Sequence, residues 1–332
     1  MMKRIRMAAG LIVVCAMASA FTLLHPPGKR YGKTAAIKTI IIDPGHGGLY
    51  PGAHGLISIE KEVTLEISLK LGEAIQKEFP DVKVIFTRTT DACSGGATNL
   101  REDLRNRAQI ANQSRGDLFI SIHCNATPQP AGGWYAKRVI GHKKVTRMVG
   151  KGKKKRKKVV NEPIYESYWV KNMRTGTESY IWASDRSSIK GAAINQNDET
   201  GESFGDSTAE AAAFDVTSPE ARIRTQLYEK KFFENSKTFG RYVEDQFKER
   251  GRTSYGVKQR DVGIQVLQAT GMPSVLVETG FLTNKEEEEY LSSNKGQEEI
   301  VTDIVEALRL YKQQIENGGK STTKPGNGGG RR

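Results

Sequence analysis

The stretch "IIIDPGHGGLYPGAHG", residues 40–55, sets the frame for the whole chain. Ile40, Ile41 and Ile42 form an apolar run that reads as the end of a buried strand. Asp43, Pro44, Gly45, His46, Gly47 and Gly48 then break it into a tight loop. Glycine costs conformational entropy, so a cluster of it marks a sharp turn or a close approach of the backbone to something else. With one histidine at the centre of the cluster, that something reads as a metal ion, and His46 as one of its ligands.

Outward from this loop, strand-like runs recur at 37–43, 82–87, 118–124, 179–183, 263–268 and 274–278. Helical periodicity fills the intervals. Residues 60–79 place Val63, Ile67, Leu71 and Ile75 on one stripe, and 100–113 do the same with Leu104, Ala108 and Ala111. Residues 218–250 and 297–315 read as further amphipathic helices. Alternating strands and helices predict an α/β fold: a single domain with a twisted, mostly parallel or mixed sheet of about six strands, flanked by helices. In such sheets, sites form beyond the carboxyl ends of the strands, which is where His46, His123 and Glu278 fall.

Two stretches interrupt the alternation, 128–175 and 186–216. Insertions this long without obvious elements are usually functional or disordered. The first holds twelve basic residues and no acid between Lys137 and Lys158. It accounts for most of the net charge of +13, leaving the rest of the chain near neutral. It reads as a solvated, mobile basic arm. The second, rich in Gly, Ser, Asn, Asp and Ala, reads as a polar loop. Residues 317–332 form a low-complexity tail expected to be disordered.

At the other end, Lys3, Arg4 and Arg6 precede an apolar stretch, 7–17, closed by Ala18-Ser19-Ala20. This pattern predicts a secretory signal peptide, residues 1–20, followed by a linker, 21–36. The apolar run is too short to span a bilayer comfortably, so no stable membrane span is expected after cleavage. Export would leave Cys93 and Cys124 in an oxidising compartment, where a disulfide is an open option that sequence does not settle.

The chemistry is carried by four residues: His46 after the first strand, Glu60 at a helix start, His123 ending "DLFISIHCN" and Glu278 ending "SVLVETGF". Singly, each has an ordinary structural reading. Together, two imidazoles and a carboxylate with one open position make a catalytic zinc set, and a further carboxylate can serve as general base. There is no H-E-x-x-H helix, so the ligands must converge from separate elements.

The chain from about 37 to 315 resembles the zinc-dependent N-acetylmuramoyl-L-alanine amidases of bacterial cell walls. The resemblance rests on "IIIDPGHGG", "IEKEVTLEISLKL", "VIFTRTTD", "DLRNRAQIANQSRGDLFISIHCNA", "GTESYIWAS", "YGVKQRDVGIQVLQATGMPSVLVETGFLTNKEEEEYL" and the last helix, in that order. It implies one Zn2+ held by His46, Glu60 and His123, Glu278 as catalytic residue, and a catalytic domain over 37–316. It implies hydrolysis of the amide between N-acetylmuramic acid and L-alanine in peptidoglycan, by an exported protein of the periplasm or cell exterior. Some members of the family are held inactive by an inserted helix, which makes both insertions candidates for controlling access to the zinc. Asp198, Glu199, Glu202, Asp206 and Glu210 are the acids on offer in the second. The basic arm suits anionic envelope polymers or an activator protein; an exported protein does not meet nucleic acid first.

Smaller expectations attach to neighbouring residues. Asp43 is a candidate to orient a ligand or simply to form the turn. Arg107 and Asn112 match recurrent family positions with structural roles, and His54 and His142 are spare histidines. Two rival functions remain. One is a cysteine hydrolase using Cys124, disfavoured because adjacent strand residues point to opposite faces. The other is a catalytically silent peptidoglycan-binding module.

Overall fold

The computed structural model describes residues 36–183, 190, 219–260, 262 and 264–317. The expected signal peptide and nearly all of the linker, tail and 186–216 insertion, its five acids included, lie outside the described residues.

The first strand, β1 (Thr39–Pro44), is followed by α1 (Glu60–Glu78), β2 (Lys83–Phe86), α2 (Leu100–Gln113) and β3 (Leu118–Asn125). A hairpin of β4 (Gly133–Val149) and β5 (Arg156–Lys171) comes next, then β6 (Thr177–Trp182) and the long α3 (Pro219–Glu249). The chain closes with β7 (Ser254–Arg260), α4 (Gln265–Ala269), β8 (Ser274–Phe281), α5 (Lys285–Ser292) and α6 (Asn294–Glu316). Six strands form one sheet in the order β2-β1-β3-β8-β6-β7. Neighbours are parallel from β2 to β8; β6 runs antiparallel to β8, and β7 parallel to β6. The mixed six-stranded sheet is the one expected.

Burial explains the sequence pattern. Ile40, Ile41 and Ile42 are wholly buried, which is why the central strand reads as a continuous apolar run and not as an alternation. On α1, Val63, Ile67, Leu71 and Ile75 are all buried along one stripe. The helix α3 buries Phe239, Val243 and Phe247, and α6 buries Ile300, Ile304 and Tyr311. Helix α6 packs against both α1 and α3. Three helix starts are capped by side chains: Asn99 accepts from Glu102 N at 3.0 Å, Asn284 from Glu287 N at 3.0 Å, and Ser293 from Gly296 N at 2.9 Å.

Two expectations need correction. The strand expected at 263–268 is not formed by its described residues, 264–268: Ile264 and Leu267, three apart, turn inward on the short helix α4 and its cap. The sixth strand is instead β7, "SYGVKQR", whose apolar alternation is diluted by Lys258, Gln259 and Arg260. Among the described residues it pairs only with β6, and polar and charged side chains suit such an edge. The basic arm is likewise not a mobile loop. Within 128–175, β4 and β5 pair as a long antiparallel ribbon from Gly133↔Lys171 to Val149↔Arg156. Gly150 (φ 115°) and Gly152 (φ 57°) reverse the chain at its tip. The β-branched and aromatic residues of "VVNEPIYESYWV" favour that ribbon, but its lysine density masked the alternation.

Candidate metal centre

The loop after β1 is held open by two arginines. Arg107, on α2, donates from Nη1 to the Pro44 carbonyl at 2.8 Å and from Nη2 to the His46 carbonyl at 2.5 Å. Its other contacts are Asp43 at 2.8 Å and Asp103 at 2.9 Å. Arg88, in the loop after β2, donates to the carbonyls of Pro44 (3.0 Å), Gly45 (2.7 Å) and Lys61 (2.8 Å). Thus three consecutive carbonyls, 44 to 46, are pinned by guanidinium groups. His46 can then keep its left-handed backbone, φ 60°, a conformation that costs a non-glycine residue energy and persists only where the surroundings impose it.

Two glycines make room for the side chains that meet here. A Cβ on Gly45 would lie 2.5 Å from His123 Cε1, and one on Gly52 2.5 Å from Glu60 Oε2. Glu60 opens α1, with its N–H bonded to the Ala53 carbonyl. His123 stands near the carboxyl end of β3.

The result is a cluster in which one ligand-type atom from each of His46, Glu60 and His123 lies within 4.8 Å of the others. Glu60 Oε2 is 3.1 Å from His46 Nε2, and Oε1 is 3.0 Å from His123 Nδ1. Burial alone would raise the Glu60 carboxyl. The hydrogen bonds and charges of His123 and His46 outweigh it and hold the group far below the usual carboxylate range. Two imidazoles and an ionised carboxylate converging from a loop, a helix start and a strand end fit the ligand set of a catalytic zinc.

Glu278 faces this cluster from β8, directly paired with His123 in the strand register. It is buried, and its Oε2 has no hydrogen-bond partner among the described residues. Burial first, then the negative charge of Glu60, push its carboxyl well above the ordinary range, with Arg260 pulling the other way. All four residues singled out from the sequence are therefore gathered at one end of the sheet.

The other expectations resolve as follows. Asp43 touches no ligand; it accepts from Thr87 Oγ1 at 2.5 Å and Ser121 Oγ at 2.7 Å, and reaches the loop only through Arg107. Asn112 joins α2 to the 269–271 turn, donating to the Ala269 carbonyl and accepting from Gly271 N. His54 makes only a backbone bridge to Ile59, and His142 lies on the ribbon. Cys93 and Cys124 are free thiols. Cys124 points into the core beside Thr279, 3.5 Å away, and burial raises its thiol well above the normal value. That is the opposite of an activated nucleophile, and the cysteine-hydrolase reading fails.

Sequence reasoning missed three supports. Arg88 sits in a quoted motif but carried no assigned role. Glu288, one acid of the quoted run "KEEEEYL" and given no role there, accepts from the N–H groups of Leu56, Ile57 and Ser58 at 2.7–2.9 Å and fixes the loop that leads into α1. Glu178, paired opposite Glu278 across β6 and β8, accepts from Asn125 and Lys258. Only tertiary pairing distinguishes these acids from surface ones.

Comparison with known proteins agrees with the geometry. The family model described as "N-acetylmuramoyl-L-alanine amidase" matches residues 40–309. A germination-specific N-acetylmuramoyl-L-alanine amidase of Bacillus subtilis is 40% identical over 27% of this chain and 40% of its own length. A probable amidase AmiB of Haemophilus influenzae is 27% identical over 83% of this chain and 52% of its own. The chain thus spans about half the length of these curated relatives. An amidase structure from Clostridium difficile 630 shares the fold, with a TM-score of 0.50 and 21% identity over 84% of this chain and 98% of that one. With a family match running through most of the sheet and helices, the chain belongs to the N-acetylmuramoyl-L-alanine amidase family.

Proposed function

We propose that this protein hydrolyses the amide bond between N-acetylmuramic acid and L-alanine in peptidoglycan, with His46, Glu60 and His123 holding one zinc ion and Glu278 as the general base. The observation that carries the reading is the cluster itself: a three-ligand set beside a buried carboxylate whose Oε2 is unpartnered among the described residues. When bound, zinc supplies Lewis acidity toward the lactyl carbonyl and toward water. Arg88 and Arg107 fix the loop that presents His46, and Glu288 fixes the approach to Glu60. Glu278 takes a proton from the attacking water and delivers it to the departing L-alanine nitrogen. Its raised proton affinity suits the second transfer, and a cation beside Glu60 offsets the repulsion that hinders the first. The products are the glycan strand, with a free lactyl carboxylate, and a stem peptide with a free amine.

Export belongs to the same reading: residues 1–20 act as a leader, and the substrate lies outside the cytoplasm. Among the described residues no helix is long and apolar enough to cross a membrane. The acids of the 186–216 insertion remain candidates to gate the site. Replacing that segment by a short Gly-Ser linker should speed hydrolysis if they do. Digestion of purified sacculi with and without chelator tests the activity. Stem peptides with free L-alanine amines are expected only in the metal-loaded reaction; metal-loaded protein that releases none refutes the reading.

A further inference from the structure

The ribbon of β4 and β5 forms a sheet of its own, apart from the six strands that carry the metal cluster. Its register assigns each paired side chain to a face, because directly paired residues share a side and residues alternate along β5; a bulge between Val139 and Gly141 leaves Ile140 unpaired. One face carries both acids of the ribbon, and each is engaged: Glu166 with Arg138 and Glu162 with Arg147. The other face carries no acid of the ribbon's own; at its base Lys171 meets Glu286 of α5. It presents Lys137, Lys144 and Lys157 among Tyr135, Tyr165, Trp169, Val139, Val159 and Met148. These six are large apolar or aromatic side chains, all of them more than half exposed. Tyr135 and Trp169 stand edge to face, ring centroids 5.1 Å apart, so the aromatic end of the face is preformed.

Six exposed apolar and aromatic side chains on one face point to an interaction site, and the lysines among them narrow the partner. A soluble polyanion would engage the lysines and leave Val139, Val159 and Met148 in water. A lipid surface takes up both: aromatic rings settle at headgroup level, and lysines are drawn to anionic headgroups. We propose that this face of the ribbon lies on a membrane rich in anionic phospholipid, holding the catalytic domain at the lipid surface. The inference concerns the ribbon alone and stands whether or not the metal cluster cleaves peptidoglycan.

The test uses the mature chain left by leader removal, with vesicles of phosphatidylcholine with and without phosphatidylglycerol. The protein should sediment with the phosphatidylglycerol vesicles only, and brominated acyl chains should quench its tryptophan emission. Replacing Lys137, Lys144 and Lys157 together by Gln should weaken binding by roughly 100-fold. Replacing Tyr135, Tyr165 and Trp169 together by Ser should weaken it by at least about ten-fold. Zinc content and melting temperature should stay unchanged in both. Failure to bind, or absence of bromine quenching in the parent, overturns the proposal. So does an aromatic variant that binds like the parent while soluble polyphosphate displaces the protein from vesicles, which would leave only a polyanion site.

Discussion

Glu278 is the buried carboxyl of the cluster whose burial is costly to folding. In the metal-free protein, burial and the Glu60 charge raise its proton affinity above the ordinary 4.5. A carboxyl raised in the folded state contributes full stability below its unfolded value and loses it as pH rises through the folded one. Glu278→Gln removes that loss. The metal-free variant should therefore melt above the parent at pH 7, by about 2–4 °C per kcal/mol recovered, and the difference should vanish below about pH 4.5. The same variant, loaded with zinc, should lose about 10²–10⁴-fold in turnover on sacculi. Near-normal turnover with intact zinc would remove Glu278 from the reaction. Arg107 is the complementary case. Its removal strands Asp43 and Asp103 in the core and frees the carbonyls of Pro44 and His46. Arg107→Ala should cost about 3–5 kcal/mol by denaturant unfolding and weaken zinc binding by about 10–100-fold.

At the scale of elements, legibility followed burial. Buried strands β1, β3 and β8 and the striped helices α1, α2, α3 and α6 could be read because the core dictates their pattern. The edge strand β7 and the solvated ribbon could not, since charge on an exposed strand looks like a loop. The candidate metal ligands were assigned through the resemblance; His46, Glu60 and His123 converge from three elements with no common spacing. The short helix α5 was missed with Glu288, whose role depends on a loop 230 residues earlier in the chain. That loop, 55–58, positions the start of α1. Glu288→Ala leaves three backbone N–H groups without their acceptor, and each such loss in a buried setting costs about 1–3 kcal/mol. Where water replaces the carboxylate the cost is smaller. Faster amide hydrogen exchange at Leu56, Ile57 and Ser58, with weaker zinc binding, is the expected result; unchanged exchange there would show that the loop holds its shape without α5.

In the whole molecule, the candidate metal cluster lies at one end of the mixed sheet, and the basic ribbon forms a sheet of its own. A metal that binds only the folded chain stabilises it by mass action, about 4 kcal/mol at a thousand-fold excess over its Kd. Zinc should therefore raise the melting temperature, and chelation should reverse the rise without unfolding the sheet at room temperature. The most direct measurement is elemental analysis of the purified protein beside His46→Ala and His123→Ala variants, each checked for native fold by circular dichroism. The account predicts one zinc per chain in the parent and less than stoichiometric zinc in both folded variants. A folded His46→Ala or His123→Ala protein that still carries one zinc per chain would contradict it.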